Sequence, residues 1–196
     1  MFLLDAGANL DCSPRELVGF AYLGTVYMQD IIDRPHPTVG LLNVGEEDEK
    51  GTAVIRQTHQ LLKNADGLNY IGNIEGRDIL GGHAKFGPVD VIVCDGFVGN
   101  IVLKFYESVL DLVRHLAEDA GLWERPETRL AFHPLDYSQY GGAPLLGVKG
   151  NSIICHGSSN PNAITNAIRV AVQCVTVNLS RHIGVELAAH EATGKL

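Results

Sequence analysis

The sequence predicts a layered α/β domain with a mostly parallel sheet flanked by helices. Short apolar runs alternate with amphipathic segments along all 196 residues, and small loops rich in glycine separate them. The second of these runs, residues 38–44, is nearly all apolar, which is typical of a strand covered on both faces. Alternation of this kind favours a parallel sheet, so we expect one domain over residues 1–196, with 107–136 as a helical connector that protrudes.

Apolar runs predict the strands of this sheet. They cover residues 2–4, 38–44, 68–72 and 89–94. Two later runs, 143–148 and 151–156, are spaced to pair as a hairpin across Lys149 and Gly150.

Helices are predicted between the strands. The first begins at the N-cap Ser13, because Pro14 occupies the first helical position and Glu16 lies three residues after the cap. The predicted helices end at about residues 32, 64, 120 and 183. We expect the helix after Asn100 to carry an apolar stripe at amphipathic spacing, and the last helix to bury one. The stripes are Val102, Phe105, Val109, Leu112, Val113 and Leu116, and Ile164, Ile168, Ala171, Val172 and Val175.

Composition and charge exclude several classes of protein. With 15 basic and 23 acidic residues the net charge is −8, which disfavours nucleic acid as a partner. No apolar run approaches the roughly 20 residues that span a bilayer. The four cysteines are scattered, which disfavours a zinc site and indicates a reducing, cytoplasmic compartment. We expect neither a metal nor a cofactor.

Five loops combine glycine with polar residues at the ends of strands. They are residues 5–9, 45–51, 73–78, 95–100 and 156–160. Ligands bind at the carboxyl ends of parallel strands, and glycine lets backbone N–H groups approach an anion closely. Tight turns are the alternative explanation for each glycine. No loop has the fingerprint of a dinucleotide or P-loop site, so we expect a phosphate-type site on a rim that all five loops share.

Six motifs in order along the chain carry a family resemblance. They are Leu4–Asn9, Gly40–Glu47, Gly72–Asp78, Cys94–Asn100, Tyr140–Gly147 and His156–Ser159. Together they resemble the bacterial phosphate acyltransferases of phospholipid synthesis, the acyl-carrier-protein:phosphate transacylases or PlsX family. Members of that family are longer and begin with two further glycine-rich loops, so this sequence resembles their C-terminal part.

The resemblance implies an activity, a fold and partners. The reaction converts acyl-acyl-carrier protein and inorganic phosphate to acyl phosphate and free carrier protein, in fatty acid and phospholipid synthesis. The implied fold is that of isocitrate and isopropylmalate dehydrogenases. A homodimer is implied, in the cytoplasm or peripheral to the inner face of the membrane, with a glycerol-3-phosphate acyltransferase as a further partner.

Three residues are candidates for catalysis. Lys50 is the only cation among the four carboxylates of loop 45–51, and it would stabilise developing negative charge. A solvated surface charge is its alternative. Asn100 would donate a hydrogen bond from its amide, or serve as a turn or cap residue. His156 would act as a general acid or hydrogen-bond donor, or be structural.

The glycine-rich loops also supply candidates for binding phosphate or substrate. They are Asp5, Gly7, Asn9, Asn73, Asp95, Gly96, Gly99, Gly157, Ser158 and Ser159. Asp5 and Asp95 would orient a ligand or cap the following loop, and the asparagines would donate or cap. Cys94 and Cys155 are expected to be core thiols, since no partner base is evident.

The apolar helix after Asn100 and the segment through Phe132 predict dimerisation. Leu122, Trp123, Leu130 and Phe132 would form an apolar tip at a membrane surface, or pack at the dimer interface or in a core.

The residues alone leave three other functions open. One is a phosphotransacylase that uses acyl-CoA. Another is a non-catalytic anion-binding or dimerisation module. The last is a nicotinamide-dependent dehydrogenase, which the fold allows but for which the fingerprint is lacking.

Overall fold

The structure is a computed structural model that describes residues 1–85, 87–133 and 139–192. The chain divides into two compact units. Unit 1 contains residues 1–100 and the described residues from Arg181 onward, and unit 2 contains residues 101–180. The predicted α/β class is confirmed, because unit 1 is a parallel sheet with helices packed on it. That residues 1–196 form one domain stays a prediction.

The described helices and strands follow one another along both units. They are β1 (Phe2–Leu4), α1 (Pro14–Asp30), β2 (Thr38–Leu42), α2 (Ala53–Lys63), β3 (Asn69–Ile74), α3 (Gly76–Gly81), β4 (His83–Ala84), β5 (Gly87–Pro88), β6 (Val91–Val93), α4 (Gly96–Asp119), α5 (Pro126–Phe132), β7 (Ala143–Pro144), β8 (Ile153–Ile154), α6 (Pro161–Thr176) and α7 (Leu179–Ala192).

The sheet of unit 1 has the strand order β1-β6-β2-β3, and all three pairings are parallel. Leu3 pairs with Ile92, and Leu41 pairs with Val93, so β6 lies between β1 and β2. Since parallel strands end at the same edge, the segments that follow β1, β6, β2 and β3 begin side by side. This edge places four of the five predicted loops in one unit.

Helix α1 is the centre of unit 1. Its capping box is formed, because Ser13 Oγ accepts from the Glu16 N–H and the Ser13 N–H donates to Glu16 Oε2. We expected one buried face, but the helix is buried around most of its circumference between Leu17 and Met28. The sheet and α2 cover it from different sides, and the ring of His190 in α7 stacks on Tyr22 with 3.9 Å between the centroids.

Several boundaries differ from the predictions. The predicted strands 38–44 and 89–94 are shorter, and 68–72 extends to Ile74. Helix α3 and the β4–β5 hairpin were not predicted. The predicted last helix ends at Thr176 instead of near residue 183, because Asn178 has a left-handed φ of 54° and α7 begins after it.

Unit 2 contains the predicted hairpin in a shorter form. Strand β7 pairs antiparallel with β8, and Ala143 lies opposite Ile154. Gly141 and Gly142 lie at its start, where a Cβ on Gly141 would be 2.2 Å from the Ala167 nitrogen of α6. Gly141 is therefore required for the close approach of the hairpin to α6, whereas a Cβ on Gly142 would lie 2.7 Å from the Ile154 carbonyl oxygen of β8.

The predicted burial of the apolar stripe on the last helix is wrong, and the apolar stripe of α4 is exposed as well. Phe105 in α4 is 67% exposed and Val172 in α6 is 61% exposed, and most other members of both stripes are also exposed. Helix α6 instead buries its small residues Ala163, Ala167 and Cys174. Periodicity identified an apolar face on each helix, but the intramolecular contact of α6 uses the face of small side chains.

Among the helices that the structure describes, none is long and apolar enough to cross a membrane.

Glycines in helices of unit 1 provide a test of this packing. A Cβ on Gly24 in α1 would lie 2.5 Å from Val91 Cγ1 of β6, whereas Gly184 in α7 has no atom within 4 Å. We expect Gly24→Ala to lower the free energy of unfolding by about 1–3 kcal/mol, because the core is overpacked. Gly184→Ala should raise it by about 0.5–1 kcal/mol, because alanine is the better helix former. Urea unfolding measures both values, and equal effects of the two substitutions would contradict the described packing.

Candidate functional site

The loop after β1 closes around one buried carboxylate. Asp5 is only 4% exposed. Its Oδ1 accepts from the N–H groups of Gly7 at 2.7 Å and Ala8 at 2.9 Å. Its Oδ2 accepts from the N–H of Asn9 at 2.7 Å and from Asn9 Nδ2 at 2.8 Å. Four donors thus surround a side chain that belongs to the loop itself.

These donors hold Asp5 in its charged form. Burial raises the pKa of Asp5, but the hydrogen bonds from Ala8, Asn9 and Gly7 outweigh burial and leave the pKa below its usual value. The N–H groups that the sequence suggested for a phosphate are therefore already paired with an internal anion. Of the two roles left open for Asp5, the structure places it in the capping role.

The same loop is joined to the end of β6. The Asp5 N–H donates to the carbonyl of Cys94, and Cys94 Sγ donates to the carbonyl of Asp5 at 3.4 Å. Burial raises the pKa of the Cys94 thiol to about 12. Such a thiol is a poor nucleophile, in agreement with the core role expected for Cys94. Cys155 in unit 2 is half-buried.

The predicted loop 95–100 is wrong, because residues from Gly96 onward form the first turn of α4. Asp95 caps this helix: its Oδ1 accepts from the Val98 N–H at 2.8 Å and its carbonyl from the Gly99 N–H. The capping alternative for Asp95 is thus the one that the structure contains. A polar residue after a strand resembled a loop, but Asp95 is instead an N-cap.

Two glycines allow the helix to begin directly against the β1 loop. A Cβ on Gly99 would lie 1.8 Å from the Asp5 carbonyl oxygen, and one on Gly96 would lie 2.6 Å from that of Asn9. The Gly96 N–H donates to the Asn9 carbonyl at 2.8 Å. These glycines serve a close approach of backbone to backbone.

Asn100 lies in the first turn of α4 beside Gly7. A Cβ built on Gly7, whose φ is 135°, would be 3.6 Å from Asn100 Oδ1. The Asn100 side chain is exposed, so its amide is accessible at the edge of the sheet. The structure therefore brings together the predicted residues of loop 5–9 and those of the start of α4.

Loop 45–51, after β2, is pinned from several directions. Asn43 Nδ2 donates to the carbonyl of Lys50, and Asn73 Nδ2 donates to that of Glu47 at 3.1 Å. Arg56 Nη1 donates to the carbonyl of Gly51 at 2.6 Å. Gly51 is needed for its backbone conformation, because its φ is 88° and a Cβ at this position would collide with the Asn43 side chain. Asn73 is buried and positions this loop.

Two of the four acidic side chains of this loop, those of Glu46 and Asp48, are paired with basic side chains from elsewhere in unit 1. Glu46 contacts Arg77 Nη2 at 3.3 Å and Lys85 Nζ at 3.5 Å. Asp48 contacts Lys63 Nζ, and His59 Nε2 at 2.9 Å.

That Lys50 stabilises developing negative charge on a substrate stays a prediction. Lys63, Arg77 and Lys85 are distant in sequence, and only the fold places them beside the loop. Lys50 itself is exposed and makes no ion pair within the described part of the chain. Its ammonium group is therefore accessible to a ligand.

The predicted segment 156–159 lies in unit 2, after β8 of the antiparallel hairpin. His156 Nδ1 accepts from the Ser158 N–H at 3.2 Å and lies 2.6 Å from Ser158 Oγ. An Nδ1 that accepts leaves the ring proton on Nε2. Gly157 is exposed, and Ser159 Oγ is buried without a partner among the described residues. That this segment shares a rim with the other four stays a prediction.

The apolar tip is partly packed on itself. The rings of Trp123 and Phe132 meet edge to face at 5.3 Å, and the Arg114 guanidinium lies over Trp123. Leu122 and Leu130 are exposed.

Within residues 1–85, 87–133 and 139–192, no three His, Cys, Asp or Glu side chains are grouped to hold a metal ion.

This geometry defines a class of protein: an α/β protein with polar, glycine-dependent segments at the carboxyl edge of a parallel sheet. Comparison with known sequences is more specific. The profile of a family described as fatty acid synthesis protein matches residues 1–182, and the chain belongs to that family.

Two similar relatives are both named phosphate acyltransferase. The phosphate acyltransferase of Heliobacterium modesticaldum is 47% identical over 186 residues, which is 90% of this chain and 54% of the relative. That of Moorella thermoacetica is 47% identical over 192 residues, covering 93% and 55%. The chain thus spans about half the length of the relatives that it matches.

The Asp5 carboxylate predicts a specific dependence of stability on pH. We expect Asp5→Asn to lower the free energy of unfolding at pH 7 by about 2–3 kcal/mol, because charge-assisted hydrogen bonds are lost. The folded-state pKa lies below the unfolded one, so this contribution is present above about pH 4 and is lost as the pH falls through the folded pKa. Urea unfolding between pH 2 and 7 should show the two proteins converging in acid.

Asp11→Asn is the matched control, since Asp11 is an exposed aspartate close by in sequence. It should leave the free energy of unfolding nearly unchanged. A constant difference between wild type and Asp5→Asn at every pH would show that the Asp5 charge does not hold the loop.

Proposed function

We propose that this chain supplies the acyl-transfer site of a phosphate acyltransferase. The reaction converts acyl-acyl-carrier protein and inorganic phosphate to acyl phosphate and free carrier protein, in fatty acid and phospholipid synthesis. The observation that carries this proposal is the 47% identity to phosphate acyltransferases over 90% of the chain. The accessible Lys50 and Asn100 beside an ordered sheet edge support it.

The chemistry requires little covalent help from the protein. A phosphate oxygen attacks the thioester carbonyl carbon, the carbon–sulfur bond breaks, and the carrier protein leaves as a thiolate. Orientation and stabilisation of the oxyanion therefore account for most of the rate. Lys50 would balance the charge of phosphate and oxyanion, the Asn100 amide would donate to an oxygen, and His156 would donate through Nε2–H.

The remaining predicted residues divide by role. The start of α4 carries partial positive charge and is one candidate for phosphate binding, and Gly157, Ser158 and Ser159 are a separate candidate. Asp5, Gly7 and Asn9 would act indirectly, because their polar groups hold the loop against α4. Asp95, Gly96 and Gly99 would fix the start of that helix, and Asn73 would hold loop 45–51.

A direct assay distinguishes the candidate functions. The protein is incubated with inorganic phosphate and either acyl-acyl-carrier protein or acyl-CoA, and acyl phosphate is trapped with hydroxylamine. Because a thioester itself reacts with hydroxylamine, the hydroxamate formed without the protein is subtracted, and we expect an excess only when both phosphate and acyl-acyl-carrier protein are present. Product from acyl-CoA alone would favour the CoA-dependent reaction, and phosphate binding without product would favour a non-catalytic module.

The role of Lys50 is tested by substitution. We expect Lys50→Ala to lower the rate of acyl phosphate formation at least tenfold, which is about 1.4 kcal/mol of transition-state stabilisation. The melting temperature should barely change, because an exposed lysine contributes little to folding. Lys149→Ala, an exposed lysine in a turn of unit 2, is the control and should keep the wild-type rate. A wild-type rate in Lys50→Ala would refute the role.

We also propose that the chain forms a homodimer through the apolar faces of α4 and α6. Exposed apolar residues at helical spacing on both helices support it. Leu122 and Leu130, exposed near the packed Trp123, support peripheral contact with the inner face of the membrane, where a glycerol-3-phosphate acyltransferase would take up acyl phosphate.

The dimer predicts an effect of charge on the α4 face. Light scattering should give the mass of two chains for wild type at micromolar concentration and of one chain for Leu112→Glu, because a carboxylate would be buried in the interface. Leu80→Glu changes an exposed leucine of unit 1 and should leave the dimer intact. A monomeric wild type, or dissociation by both substitutions alike, would contradict this interface.

A further inference from the structure

A buried histidine joins three elements of unit 1 outside the candidate site. His59 of α2 is 1% exposed. Its Nδ1 lies 2.6 Å from the hydroxyl of Tyr70 in β3, and its Nε2 lies 2.9 Å from Asp48 Oδ1 in loop 45–51. The second oxygen of Asp48 accepts from Lys63 Nζ. The group Tyr70–His59–Asp48 is thus a continuous hydrogen-bonded chain from strand to loop.

The chemistry of the three groups determines the direction of the hydrogen bonds. Hydrogen bonds from Lys63 and His59 lower the pKa of Asp48, so its carboxylate is ionised and can only accept. Nε2 of His59 must then donate to it. Burial raises the pKa of Tyr70, so the hydroxyl keeps its proton and forms the hydrogen bond with Nδ1 of His59. Both ring nitrogens are thereby satisfied inside the protein.

This chain of hydrogen bonds acts on the segment that carries Lys50. Asp48 precedes Lys50 by two residues, and the Lys50 N–H donates to the carbonyl of Glu47 at 3.1 Å. Asp48 itself is exposed, so without a partner its side chain would be free in water. Its anchor is His59, which is fixed by Tyr70. A loop held at Asp48 restricts the backbone from which the Lys50 side chain projects.

We propose that His59 and Tyr70 are positioning residues that lock loop 45–51 through Asp48 and so set the placement of Lys50. The locking of the loop stands independently, and only its consequence for acyl transfer rests on the proposed function. Neither residue would contact phosphate or thioester. Tyr70 acts through His59, and His59 acts through Asp48.

Trypsin measures the locking directly, because Lys50–Gly51 is a cleavable bond inside the loop. We expect Tyr70→Phe and His59→Gln to raise the rate of cleavage after Lys50 by about tenfold, since each removes a buried hydrogen-bond partner. Neither substitution lies next to the scissile bond, so the protease meets the same local sequence. Cleavage after other lysines and arginines, and the melting temperature, report whether the effect is local.

Tyr22→Phe is the matched control. Tyr22 is a buried tyrosine of unit 1, whereas Tyr70 is half-buried, and the Tyr22 hydroxyl donates to the Asp66 carbonyl, away from the loop. It should leave cleavage after Lys50 within about twofold of wild type. Equal acceleration by Tyr22→Phe and Tyr70→Phe, or no acceleration by either Tyr70→Phe or His59→Gln, would overturn the proposal.

A double-substitution cycle tests whether the three groups act as one chain. Asp48→Asn is compared with Asp48→Asn combined with Tyr70→Phe, both referred to the cleavage rates of the urea-unfolded proteins. We expect Tyr70→Phe to add less than about twofold once Asp48 is changed, because its effect passes through His59 to Asp48. Multiplicative effects would contradict the chain.

The rate of acyl phosphate formation separates this proposal from the proposed function. If the function is right, Tyr70→Phe should lower kcat and leave the melting temperature near that of Tyr22→Phe. If Lys50→Ala proves catalytically silent while Tyr70→Phe still opens the loop, the proposed role of Lys50 fails and the lock stands. If Lys50→Ala impairs turnover and Tyr70→Phe does not open the loop, the lock fails alone.

Discussion

The Asp5 carboxylate is the interaction on which the sheet edge of unit 1 depends. A charged group that is almost fully buried needs donors, and the loop supplies them from its own backbone and from Asn9. The folded loop then presents its carbonyls to the start of α4, where Gly96 and Gly99 leave no side chain in the way. A capped strand end and the beginning of a long helix are thereby held in contact.

Loop 45–51 solves a similar electrostatic problem in a different way. Two of its carboxylates, those of Glu46 and Asp48, are paired with cations from α2, α3 and the turn after β4. Backbone carbonyls of the loop are held by Asn43, Arg56 and Asn73. Loop 5–9 is thus ordered around the Asp5 carboxylate, and loop 45–51 is ordered by the side chains that surround it. The amide of Asn100 beside the first loop and the ammonium group of Lys50 in the second are exposed to solvent.

Local signals predicted much of this fold. The capping box at Ser13 and the caps of α2 and α6 depend on neighbouring residues, so the sequence contains all the information for them. The parallel sheet followed from the alternation of strands and helices. The start of α4 at Gly96 was missed, because glycine and asparagine after a strand are as typical of a loop as of a tightly packed helix start.

What the sequence did not predict depends on contacts between distant residues. The cations beside loop 45–51 and the Tyr70–His59–Asp48 chain come from different elements, and no spacing rule connects them. The apolar stripes of α4 and α6 could not be placed from the sequence for the same reason. Periodicity predicts that a helix has an apolar face, but it does not specify which surface packs against that face. The glycines predicted to cradle a phosphate were identified correctly as special, but in loop 5–9 their N–H groups bind a carboxylate of the same chain.

The most direct test of this account is scalar coupling across hydrogen bonds by NMR. Couplings between the amide nitrogens of Gly7 and Asn9 and the carboxylate carbon of Asp5 are measured with and without saturating inorganic phosphate. The account predicts that the couplings are present in both samples, because phosphate binds beside the loop without replacing Asp5. Loss of the couplings on addition of phosphate would show that the loop amides bind the substrate, and would contradict the central place given to Asp5.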